Sequence, residues 1–189
     1  MASEGLLKYG TTQLLFADHS GDFGAAPTTA ANSLIIGTPT DVQIDLTGVA
    51  ATNGSRASAK TGDLGATRAP LYRVDACMES ASAPTDGNVF SFYWGSSPSS
   101  TAATGNPGGL TGSDAAVTYA EGLVAQLTFI GDLAVRNNVI NIGYVGTFVP
   151  EHRYGILLVV NRTDQALRSV ATAMDETHIT LTPIILEAQ

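Results

Sequence analysis

Tyr154–Asn161 (YGILLVVN) and residues 177–186 (THITLTPIIL) are two apolar, β-branched runs on either side of a polar connection. Each is too short to span a membrane and too rich in Val, Ile and Thr to prefer helix. They are expected as paired strands of a closed β domain. Pro183 cannot donate to a ladder, which places a bulge or a sheet edge in the second run.

Strand signals continue upstream. In residues 71–79, Tyr72, Val74, Ala76 and Met78 share one face, and Arg73, Asp75, Cys77 and Glu79 the other. Asp86-Gly87 then turns the chain into VFSFYW (89–94), whose Phe90, Phe92 and Trp94 fall on one side. Residues 140–148 put Ile140, Ile142, Tyr144 and Phe148 on one face, with Gly143 and Gly146 permitting a bulge. Asn53-Gly54 is a type I′ hairpin dipeptide and predicts pairing of residues 42–49 with 55–61.

Two segments are ambiguous. Ser113 or Asp114 is a helix cap for residues 114–126, but Thr118, Tyr119 and Gly122 oppose helix there. Residues 164–174 hold at most a short helical turn. Residues 95–113 form a long loop of small residues, a length usually tied to function.

About eight to ten strands with little helix predict an all-β fold, a β-sandwich of the jelly-roll type. Its expected core includes Phe90, Phe92, Ile142, Ile156, Leu158 and Val160. Residues 34–189 form this single domain. Residues 1–33 lack sustained periodicity and read as an extended N-terminal arm. The apolar residues of that arm, Leu6, Leu7, Tyr9, Leu14, Leu15 and Phe16, are candidate partner-binding residues. Apolar side chains on an arm gain burial by docking, here on a neighbouring subunit or a lattice. The rival expectation is that the arm adds a strand to its own sandwich.

Composition narrows the function classes. The chain has 189 residues, 14% of them charged, and a formal net charge of −8. Its nine basic residues are scattered from Lys8 to Arg168, which argues against nucleic-acid and anionic-membrane binding. Cys77 is the only cysteine, so it is expected as a small buried hydrophobe. The start MASEGLLKYG lacks the apolar stretch of a signal peptide.

No catalytic constellation stands out, so the chain is expected not to be an enzyme and to need no cofactor, metal or small-molecule substrate. Asp18-His19-Ser20-Gly21-Asp22 has the residue types of a metal site but lacks further nominated ligands. Glu151-His152-Arg153 reads as a surface or interface ion-pair cluster, and His178 as a sheet-surface side chain. Residues 108–113 (GGLTGS) suggest a phosphate loop but carry no lysine. Trp94 is a candidate platform for stacking on a sugar.

One resemblance sharpens this picture. VFSFYWG (89–95), GNPGGLTGSDA (105–115), LTFIG (127–131), YVGTF (144–148), Arg153-Tyr154-Gly155 and LTPII (181–185), taken in that order, resemble a group of tailed-bacteriophage virion proteins of similar length. The likeness covers about residue 70 to the C-terminus. It implies a capsid decoration (cement) protein that stabilises the head shell, placed on the virion surface and in the host cytoplasm during assembly. The implied partners are the major capsid protein and further copies of this chain, with a trimer favoured. A tail or baseplate protein, or a carbohydrate-binding jelly-roll module for host adsorption, are the alternatives.

Overall fold

The two apolar runs that open the argument lie in different sheets. In the computed structural model, which describes residues 6–10, 12–20, 23, 33–61, 64, 68–169 and 176–187, β10 (Tyr154–Asn161) and β11 (His178–Glu187) are the central strands of two facing sheets. β10 is apolar on both faces because both are covered, Leu157 and Val159 in the inter-sheet core and Ile156, Leu158 and Val160 beneath Leu110 and Leu123. In β11, by contrast, the core residues Ile179 and Leu181 alternate with His178, Thr180 and Thr182. The expected pairing between them is replaced by pairing of each with other strands.

The first sheet runs β3 (Thr40–Gln43), β2 (Leu14–Ala17), β11, β5 (Leu71–Glu79), β9 (Ile140–Phe148), and β1 (Leu6–Tyr9) also pairs with β11. The second runs β7 (Ser113–Ala116), β4 (Gly54–Ala59), β10, β6 (Val89–Ser97), β8 (Thr128–Ala134). Set aside β1, β3 and the edge strand β7. The remaining eight then alternate between sheets as first, eighth, third, sixth and second, seventh, fourth, fifth, with every pair antiparallel. That order is the jelly roll. The one helix among the described residues is the single turn α1 (Glu121–Val124).

Between the sheets, the even residues of β5 and β6 behave as their alternation predicts. Val74, Ala76, Met78, Phe90, Phe92 and Trp94 are fully buried with Leu157 and Val159 of β10. Ile156, Leu158 and Val160 are also buried, but on the outer side of β10, beneath Leu110 and Leu123. The long loop and the ambiguous segment after it thus fold back as a cover over the second sheet. Ser113 and Asp114 begin an edge strand on β4 there instead of capping a helix.

Ile142 departs from the expected core: it is 41% exposed. The ladder between β5 and β9 pairs Val74 with Gly146 but Asp75 with Tyr144, leaving Val145 as an extra residue. This bulge reverses the alternation, so Val145 and Phe148 face inward while Ile142 and Tyr144 face out. Gly146 is required at this point, because a Cβ there would collide with the Ile130 carbonyl of β8.

The chain turns at residues 51–53, but Thr52 and Asn53, not Asn53 and Gly54, hold the positive φ, and the predicted hairpin does not form. β4 pairs with β10 and β7, and residues 40–43 pair in parallel with β2. Pro183 lies in a central strand, neither at an edge nor at a bulge. Its missing N–H falls at the gap where β11 changes partner from β2 to β1, and its carbonyl accepts from Gly10 N at 2.7 Å. Among the described residues of 164–174, a bend and the bridge of Leu167 to Ser80 replace the helical turn; residues 170–174 lie outside the described residues.

The N-terminal segment needs the largest correction. β1 and β2 are hydrogen-bonded along β11, so these two segments of the expected arm are strands of the sandwich. Phe16 is fully buried in the inter-sheet core, and Leu15 is buried with Ala17 and Phe23 on the other face of the sheet. Phe16→Ala should cost about 3–5 kcal/mol, as truncation of a core aromatic does. Deleting residues 2–16 should prevent folding outright. Denaturant titration checks the first expectation, and a soluble, cooperatively melting truncate would refute the second.

Candidate functional site

Among the described residues, the outer face of the first sheet is covered on one half and bare on the other. Residues 33–36 cross the covered half without joining the sheet, so their backbone groups need side-chain partners. Gln13, itself buried, supplies three bonds: its Nε2 donates to Leu34 O (3.2 Å) and to Thr182 Oγ1 (2.7 Å), and its Oε1 accepts from Ile36 N (2.6 Å).

His178 supplies the other tie. It was expected on the sheet surface, yet it is fully buried beneath this strap. Its Nδ1 lies 2.7 Å from Glu176 O, and Leu34 N donates to its Nε2 at 3.2 Å. Only the neutral ring with its proton on Nδ1 makes both bonds. Burial pushes its pKa below the ordinary histidine value, against a smaller upward pull from Glu176. Phe23 packs on the ring at 5.5 Å, and His19 meets Phe23 edge-on. Cys77, across the ladder from His178, is buried as expected, and burial together with the nearby Glu176 and Glu79 carboxylates pushes its thiol up to about 12.

On the bare half, Arg73 of β5 donates to Asp75 through Nε and Nη2, each at 2.7 Å, and to Tyr9 Oη at 3.1 Å. Those bonds raise its pKa, so the guanidinium stays charged. It also lies 4.9 Å from the ring centre of Tyr144 and 5.8 Å from that of Tyr9. Tyr9 and Tyr144 are each 52% exposed, with Ile142 and Ile36 exposed as well. A shallow 290 Å³ hollow runs from this cluster to the strap.

The loop after β6 is built around one ammonium. Ser97 Oγ and the carbonyls of Ser99, Thr101 and Thr104 all lie within hydrogen-bond reach of Lys60 Nζ and share its three N–H donors, and Asn106 Nδ2 donates to Leu110 O at 3.0 Å. These bonds shape residues 97–112 and seat Leu110 in the cover over β10.

The other candidates separate. Asp18 accepts from Ser20 Oγ and Gln43 Nε2, and His19 faces Asp41 at 3.7 Å; Gly21 and Asp22 lie outside the described residues. No three His, Cys, Asp or Glu side chains gather to hold a metal among the described residues. Glu151, His152 and Arg153 are exposed. Trp94 is fully buried against Phe148, so its face is no platform for a sugar. Of the partner-binding candidates, Leu15 and Phe16 are buried and Leu14 packs on the core. The side chains of Leu6 and Leu7 lie outside the described residues, and Tyr9 is exposed. The alternation of β5 already put Arg73 and Asp75 on the outer face; their neighbour Tyr144 was hidden by the bulge. The chain matches no known family model, no curated protein and no solved structure.

Proposed function

We propose that this chain is a non-enzymatic structural protein of a tailed-bacteriophage virion, a decoration protein that attaches to the head shell and associates with copies of itself. The observation that carries the attachment is the bare half of the first sheet, with Arg73 held between Tyr9 and Tyr144 and Ile142 beside them. Tyr and Arg dominate the energetic centres of protein interfaces, and a guanidinium already fixed by Asp75 loses little freedom on binding. The jelly-roll scaffold and the sequence strings quoted above support the virion setting. Repetition over a lattice would multiply a modest single contact.

Tyr144→Asp should weaken attachment to undecorated heads by about 2 kcal/mol, roughly thirtyfold, because it places a charge in the docking face. Half-exposed in the free protein, Tyr144 should matter little to the melting temperature. Sedimentation with purified heads and with purified tails checks both the effect and the location. Co-sedimentation with tails alone would make this a tail protein, and equal head binding by the variant would remove the face from the proposal.

A further inference from the structure

On the outer side of the second sheet, residues 110–124 cover β10 and stop short of β8. There Phe129 of β8 is 53% exposed, its ring packed at 5.3 Å on Tyr93 of β6. Arg162, just after β10, reaches over the same face. Its Nη2 donates to Tyr93 Oη at 2.8 Å and to Tyr119 Oη at 3.1 Å, and the guanidinium lies 5.3 Å from the ring centre of Tyr119. Arg56, Arg73 and Arg168 each pair with a carboxylate, whereas Arg162 has none beside it among the described residues. Asp132 of β8 is the opposite case. It is exposed and accepts from Ser91 Oγ at 2.6 Å, with no basic group paired to it among the described residues.

We propose that this face binds a second copy of the chain about a two-fold axis lying along β6. Strand order places β6 between β10 and β8, so Arg162 and Asp132 flank it on opposite sides. Rotation about that axis exchanges the sides. Each Arg162 then stands opposite Asp132 of the other copy, and each Phe129 meets the other copy's Tyr119 side. The shapes agree as well, because the cover over β10 of one copy comes over the uncovered β8 of the other. One patch thus supplies both members of every contact, which is what a dimer built on a single shared surface requires. At a net charge of −8 two copies repel each other at long range, so contact between them needs matched charges, and this face offers one of each sign. The two tyrosine hydroxyls already hold the guanidinium, so it loses little freedom on pairing. The inference gives the self-association proposed above a surface. The Arg73 face lies on the other sheet, so either surface can fail while the other stands.

Sedimentation equilibrium of the full chain, with no capsid present, should show a monomer–dimer equilibrium. Arg162→Asp and Asp132→Arg should each weaken it by roughly a hundredfold, because every dimer then holds two like-charged contacts. Mixing the two singly reversed chains should restore a one-to-one dimer, since each carries the charges the other lacks. Phe129→Ser, which alters neither charge, should weaken the dimer roughly tenfold and serves where a reversal disturbs folding. Melting curves establish that each variant is folded. Three results would overturn the proposal: a chain that stays monomeric at every concentration, which leaves the face to a different protein; association unchanged by all three substitutions; or folded, singly reversed chains that stay monomeric when mixed.

Discussion

Gly155→Ala should abolish folding or cost more than about 3 kcal/mol. Gly155 sits in β10 beside the indole of Trp94, and a Cβ built on it would overlap Cζ2, Cε2 and Nε1 of that ring. Trp94 cannot retreat, because it is fully buried and packed on Phe148. Nor can β10 shift, since Gly155 N donates to Thr61 Oγ1 at 3.0 Å and the strand is paired on both sides. Gly122→Ala is the control. Nothing lies within 4 Å of the Cβ it would add, and it sits in α1, so it should be neutral or stabilising by up to about 1 kcal/mol. Urea titration of both variants decides the matter; a G155A protein within about 1 kcal/mol of the native chain would show that the Trp94 contact is not the constraint described.

The second large effect is a loss of stability in mild acid, centred on His178. The unfolded chain takes up this proton near the ordinary histidine value of 6.5, whereas the folded chain takes it up only at lower pH. Between those two values the unfolded state binds more protons, so stability falls as pH falls through that window and is fully present above it. The groups facing the ring are the Leu34 N–H, the Glu176 carbonyl and carboxylate, Cys77 across the ladder and Phe23, with His19 behind Phe23. Protonation turns Nε2 from acceptor to donor, so the bond to Leu34 N is lost and the strap is left with its ties to Gln13. His178→Asn should lower stability by about 2–4 kcal/mol, and its stability should depend less on pH below the ordinary histidine value of 6.5. The difference between the two pH profiles isolates the contribution of His178. Parallel profiles would show that His178 does not carry the acid sensitivity.

The fold class was legible because the alternation in residues 71–79 and 89–94 depends only on neighbours two apart, and a jelly roll leaves those periods intact. Ile142 was misplaced by a single extra residue at Val145, whose position is set by the approach of β8 and β9, with no mark in the alternation itself. The proposed docking face was half visible. Arg73 and Asp75 could be placed on one outer face, but Tyr9 and Tyr144 reach Arg73 only because β1 and β9 flank that part of the sheet.

By itself, the sequence determined that the chain forms short strands, which side chains of β5 and β6 point inward, and that Cys77 is buried. Those outcomes follow from side-chain period and β-branching, which act over a few residues. Tertiary structure alone decided that the two most apolar runs occupy different sheets, that Leu14–Ala17 is a strand of the sandwich rather than part of a docking arm, and that His178 is buried. The reason is physical: an apolar run needs cover on both faces, but the element that supplies the cover is chosen by contacts between residues far apart in the chain. His178 is tied to Leu34 and Phe16 is paired with Ile179, and such distant contacts leave no periodicity in either segment.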